Sequence, residues 1–220
     1  MSPYSGLGST HSALLERLDS GIVKGYNLGS THEYDLSKNP VKRLWRRWRS
    51  APNNVGRLGE AHDIVHITDQ EQAGLVPKGG KSVVTVHDLF HLFPSTREGV
   101  EIGEHKPSMI RKRDLNKIKK GISRADLLIC VSKDTQQECE MRFPGIPTAW
   151  IPHAIDLARY TVETERPKWL DEGCNLIIIG SEEDRKRVDL AVEVCGCLLY
   201  TSDAADDMQC VDLGGRRIIK

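Results

Sequence analysis

Four short apolar runs constrain what this chain can fold into. They are 63–68 (DIVHIT), 82–87 (SVVTVH), 126–132 (DLLICVS) and 175–180 (NLIIIG). Each is nearly continuous and not alternating. A strand reads that way when helices cover both of its faces, as they do in a parallel sheet. Residues 149–152 (AWIP) add a candidate fifth strand. Helical stretches lie between the runs, at 9–19, 107–123 and 133–143. This alternation predicts an α/β fold, a Rossmann-like doubly wound parallel sheet. No internal repeat is visible. No run of about 18 apolar residues occurs, so no membrane span is expected, and the start has no signal-peptide pattern.

The tail is set apart from this pattern. Residues 197–220 read CLLYTSDAADDMQCVDLGGRRIIK. Back-translated, 197–206 and 211–219 resemble the two ends of a transposase-based sequencing adapter, in one frame. The expectation is that the evolved sequence stops near Gly196 in a longer natural protein. The tail is then excluded from fold reasoning, as a fusion scar is.

Charge and cysteines exclude little else. The chain has 31 basic and 31 acidic residues. Setting aside Arg216, Arg217 and Lys220 with Asp203, Asp206, Asp207 and Asp212 leaves it near neutral. That gives no general pull toward nucleic acid, and none is expected as a partner. Cys197 and Cys210 belong to the tail. Cys130, Cys139, Cys174 and Cys195 form no CxxC pair, and reduced structural thiols in a cytosolic protein are expected. No metal-ligand set is visible. His87 and His91 are spaced as a possible pair, but Phe90, Leu92 and Phe93 around them favour packing.

The beginning, MSPYSGLGSTHSALLERL, is a Gly-rich turn followed by a helix. A βαβ unit places a strand before such a turn. Met1 is therefore expected to be internal, with a first strand missing. Residues 158–173 are polar and carry a proline, which suits a domain boundary. The expected organisation is a first domain over 1–157, a linker over 158–173, the first βα unit of a second domain over 174–196, and no domain in 197–220.

Several landmarks stand in order. They are GLG at Gly6–Gly8, VVTVHDLFHLFP at 83–94, ADLLICVSKDTQQE at 125–138, WIPHAID at 150–156, and NLIIIGSEEDRKRVDLAVEV at 175–194. This order resembles a family-4-type retaining glycosyltransferase of the GT-B fold, which has two facing Rossmann-like domains. The resemblance covers most of residues 1–196 and implies the amino-terminal domain with a truncated start of the second.

The resemblance implies a role for His87, which ends a strand where open α/β sheets place ligands. There it would face donor sugar and acceptor as a catalytic group, with Asp88 orienting it or capping the next segment. Gly6 and Gly8 would lie against the donor phosphate at a helix amino terminus; a plain turn is the alternative. Ser132 would line the cleft, and its position also suits an N-cap. Ala154 stands where the family has glycine, and His153 where it has asparagine. Ser181 replaces the family's arginine, Lys186 matches its lysine, and Arg185 could supply a second cation for the leaving diphosphate. A solvated charged loop is the alternative there.

Residues 39–50 (NPVKRLWRRWRS) place Val41, Leu44, Trp45 and Trp48 near one helical face, with Lys42, Arg43, Arg46, Arg47 and Arg49 around the rest. Such a basic amphipathic helix reads either as an anionic membrane-surface contact, with Trp45, Trp48, Arg46 and Arg47 as the candidates, or as a core-facing helix with a basic outer side.

The resemblance implies a nucleotide-sugar donor as substrate, no cofactor, and a glycan or lipid-linked acceptor. It places the protein in the cytoplasm, with the inner membrane face as an open extension. The acidic E-x7-E pair of the family lies beyond Gly196, so the 220-residue chain is expected to be inactive. Two other classes remain: another GT-B enzyme such as a nucleotide-sugar epimerase, and a membrane-surface binding module without catalysis.

Overall fold

The computed structural model describes residues 6–32, 39–97, 99–154 and 186–200, with residues 157, 165, 168 and 178. The chain divides into two compact units. One is Met1–Ser95 with Ile102–Val162, the other Thr96–Glu101 with Glu163–Lys220.

The strands are β1 (Ile64–Ile67), β2 (Lys81–Val86), β3 (Ser95–Arg97), β4 (Val100–Ile102), β5 (Leu127–Cys130) and β6 (Thr148–Trp150). The helices are α1 (Gly6–Asp19), α2 (Pro40–Trp45), α3 (Ala51–Ala61), α4 (Met109–Ile122), α5 (Lys133–Arg142) and α6 (Val188–Tyr200). A 3-10 segment covers Gln70–Leu75 and a π-helical turn covers Arg46–Ser50.

The first unit is built on a parallel sheet of order β1-β2-β5-β6, and β3 with β4 forms a separate two-stranded sheet. In the four-stranded sheet spatial order follows chain order. Right-handed crossovers that all step the same way place their connecting segments on one face. Cross-strand neighbours share a face, so Ile67, Val84 and Leu128 point the same way, as do Val86 and Cys130. All five are buried with Leu115, Ile118 and Ile122 of α4 and Ala73 and Leu75 of the 3-10 segment. Burial of each larger aliphatic side chain contributes about 1.5–3 kcal/mol. The continuous runs predict cover on both faces; at β1, the edge strand of the described sheet, Ile64 on the opposite face is 44% exposed.

The α/β class and the parallel sheet agree with the sequence reading. Strands β1, β5 and β6 are shorter than their apolar runs, while β2 keeps the length of its run and starts one residue earlier. The β3–β4 hairpin is an addition. The fourth run, 175–180, lies outside the described residues except for Ile178, as does most of 158–173 and all of 201–220. In the second unit α6 is described. Among the described residues no helix is long and apolar enough to cross a membrane.

Two expectations need correction. Gly6 and Gly8 do not precede α1 in a loop; they form its first turn. The basic segment 39–50 is not one regular helix. It is α2, then the π-helical turn, then α3 with Pro52 at its start. Proline lacks an N–H and its ring crowds the carbonyl four residues back, so the helix widens before it.

Candidate functional site

The parallel strands of the first unit end at Ile67, Val86, Cys130 and Trp150. Thr68–Gln70 follow β1, His87 and Asp88 follow β2, Val131 and Ser132 follow β5, and Ile151–Ala154 follow β6. The carboxyl ends of parallel strands are where open α/β sheets bind ligands.

His87 is held there from four sides. Its backbone N–H donates to Oε1 of Gln70 at 2.9 Å. Its carbonyl oxygen accepts from Oγ1 of Thr135 at 3.3 Å. Its Nε2 lies 3.0 Å from the carbonyl oxygen of Thr68. Its Nδ1 lies 3.1 Å from Nε2 of His153, and the two rings stack with centroids 5.0 Å apart. Thr68 in turn shares a 3.0 Å hydrogen bond between its Oγ1 and Nδ1 of His11. That contact ties α1, and with it the turn containing Gly6 and Gly8, to the end of β1. Gly8 is buried, and α1 has no acidic residue in its first turn.

The neighbouring carboxylates differ in setting. Asp69 is buried, and its Oδ1 accepts from the backbone N–H of Glu71, capping the 3-10 segment at 2.9 Å. Burial holds the Asp69 carboxyl above its usual range; the charges of Glu71 and Asp88 add to this, while the Glu71 amide and His87 oppose it. Oδ1 of Asp88 is buried without a hydrogen-bond partner among the described residues. Burial, and then the charge of His87, pushes the His153 imidazole below its ordinary value. Deeper in the sheet, Nε2 of His66 pairs with Oγ1 of Thr85 at 2.8 Å. Desolvation there, followed by the charge of His11, lowers the His66 imidazole although the residue as a whole is exposed.

Ser132 caps α5. Its Oγ accepts the backbone N–H of Thr135 at 3.1 Å, and Oγ1 of the same threonine reaches His87. Ser132 is thus one residue removed from the His87 contacts. Lys133 lies over the Trp150 ring at 4.7 Å on the adjoining edge. His91 is exposed. Among the described residues no three His, Cys, Asp or Glu side chains are placed to hold a metal ion.

The remaining candidates lie elsewhere. Lys186 is an exposed residue of the second unit, and Arg185 is outside the described residues. Arg47 is ion-paired with Asp114 of α4, its Nε donating at 2.9 Å. The Trp48 ring lies under the cations of Arg113 and Lys117, at 4.7 and 4.8 Å, and its Nε1 is buried without a partner among the described residues. Arg46 is half-buried and Trp45 is 60% exposed. Trp45 and Trp48 therefore do not share one outward face. A groove of about 640 Å³ runs between α3, the 3-10 segment and α4, lined by Arg47, Trp48, Arg57, Lys117 and Arg124 among others. It is separate from the strand-end site, and none of Thr68, His87, Ser132 or His153 lines it.

Sequence reasoning missed Thr68, Gln70, His11 and His153. The one available signal was a histidine at position 153, just after a strand, where the resembling family has asparagine. The family model described as Glycosyltransferase Family 4 matches residues 15–159. No curated protein and no solved structure matches the chain.

Proposed function

Since this chain belongs to glycosyltransferase family 4, we propose that the intact protein moves a hexose from a nucleotide diphosphate sugar to a glycan or lipid-linked acceptor with retention. Family membership implies the sugar donor and an acceptor. The hexose, the acceptor class and the stereochemistry are the finer part of this proposal. The supporting observation is the convergence of Thr68, Gln70, Thr135 and His153 on His87 at the carboxyl ends of the strands.

As the bond to the diphosphate breaks, charge develops on the sugar and on the leaving oxygen. Groups already fixed in place stabilise that charge without reorganising. His87 is such a group, and a sugar hydroxyl is its natural partner. The unpartnered Oδ1 of Asp88 would accept a second hydroxyl. The first turn of α1, which lacks an acidic residue, suits an anion of the donor. Lys186, with Arg185, would supply cations from the second domain. The nucleotide sugar is substrate, and no cofactor enters the scheme.

The test is transfer from labelled nucleotide sugars. His87→Ala should lower kcat/KM by roughly 100-fold or more while leaving the fold intact. Transfer near the wild-type rate in that variant removes His87 from the chemistry, and failure with every nucleotide sugar removes the reading.

A lipid-linked acceptor is favoured by exposed apolar and basic side chains on α2 and α4. Trp45, Val41, Met109 and Ile110 are exposed, Met109 by 87%. Lys112, Arg113 and Lys120 are exposed cations on α4. Apolar side chains among cations suit an anionic bilayer surface, and a peripheral position on the inner face of the membrane belongs to this proposal.

A further inference from the structure

Both ring nitrogens of His87 are engaged by the protein itself. The carbonyl of Thr68 can only accept, so Nε2 of His87 carries a hydrogen. In the neutral ring Nδ1 is then an acceptor, and Nε2 of His153 must donate to it across 3.1 Å. One added proton fits this arrangement. It can sit on the far nitrogen of His153, which keeps its donor role, or on Nδ1 of His87 if His153 changes tautomer and accepts. A second proton places two N–H groups face to face between two cationic rings stacked 5.0 Å apart. Like charges at that range oppose it.

We infer that His153 is a positioning residue for His87, which covers Nδ1, fixes the ring, and restricts the two histidines to one shared proton. The inference rests on reading His87 as the reactive histidine of the cleft. It adds a residue that the sequence motif does not contain, since the matching position of the family is asparagine.

The surroundings agree. Asp69 and Asp88 are the carboxylates around His87, with Glu71 next to Asp69. Burial, and then the charge of His87 itself, disfavours a charge on His153. The Thr68 contact is part-buried while the His153 contact is exposed. A substrate hydroxyl therefore reaches His87 by taking the place of His153 at Nδ1, leaving the Thr68 anchor intact.

Nitrogen-15 NMR of histidine-labelled 220-residue chain tests this without any donor or acceptor. The titration covers the ordinary histidine range, about pH 5 to 8. In the wild type His87 should show hydrogen on Nε2, and the pair should titrate in two steps separated by more than about one pH unit. His153→Asn keeps a donor to Nδ1 and removes the second titrating ring. In that variant His87 should keep its tautomer and titrate in one step. His153→Ala should also give one step, with the amide spectrum confirming that the chain is folded. Two histidines taking up protons independently in the wild type, or a His87 curve identical in wild type and His153→Ala, overturns the inference. Neither result depends on sugar transfer, so a failed transferase assay and a failed titration are separate outcomes.

Discussion

Ser82 and Asp126 clamp the starts of β2 and β5 together. The backbone N–H and the hydroxyl of Ser82 both donate to Oδ2 of Asp126, at 2.7 and 3.0 Å, and the Asp126 N–H returns a 3.0 Å bond to the Ser82 carbonyl. Ser82 is 1% exposed, so its donors have no recourse to water. The aspartate that opens the 125–138 motif is therefore structural. Asp126→Ala should lower stability by about 1–3 kcal/mol, the penalty of leaving buried donors unmade. Asp126→Asn, which keeps one acceptor oxygen, should lose less. Urea unfolding checks the order, and equal losses in both variants would remove the clamp as the cause.

Gly121 sets how closely α4 approaches the 3-10 segment. A Cβ there would collide with the carbonyl oxygen of Ala73, which is backbone and fixed by its own helix. Gly121→Ala should therefore destabilise the chain by about 1–3 kcal/mol through overpacking, despite alanine's better helix propensity. A thermal melt reads the sign directly. Unchanged or raised stability would mean that α4 can shift away from Ala73 at no cost.

Trp45 and Trp48 should separate in function. Trp45 is exposed, while Trp48 is packed beneath Arg113 and Lys117. Trp45→Ala should weaken sedimentation of the chain with anionic liposomes and leave Tm unchanged. Trp48→Ala should lower Tm, because it removes an anchor between the π-helical turn and α4. Raised salt should weaken liposome binding in both, as it screens the cations of α4. No sedimentation of the wild-type chain at low salt would remove the membrane-surface reading.

The sheet was legible because its strands are continuous apolar runs, and that signal survives without knowledge of any neighbour. The β3–β4 hairpin was not, since STR and VEI offer only Val100 and Ile102 as apolar residues. The π-helical turn hinged on Pro52, whose effect falls on the residues before it. His87 could be found from its place at the end of a run. His153 could not, because its role arises when β6 pairs with β5 and returns residue 153 beside residue 87. Local sequence shows only a histidine in place of an asparagine, and nothing of the contact it makes across that distance.

Stability should also depend on pH in a direction set by two histidines. His66 and His153 both lie below their ordinary value in the folded chain, first through burial and then through the charge of His11 and His87 respectively. About one pH unit or more above pH 6.5 both are neutral, folded or unfolded, and contribute no slope. As pH falls through that value the unfolded chain takes up protons that the folded chain refuses, so stability declines until the folded histidines titrate in turn. Asp69 acts in the opposite sense. Its raised value means the folded chain binds a proton more readily than the unfolded one, so its contribution grows toward acid and is lost as pH rises through the folded value. The urea midpoint should therefore fall between about pH 7.5 and pH 5.5, and the double variant His66→Gln with His153→Asn should flatten that fall. A wild-type midpoint that is level across this window, or a double variant with the wild-type slope, would show that other groups govern the acid response.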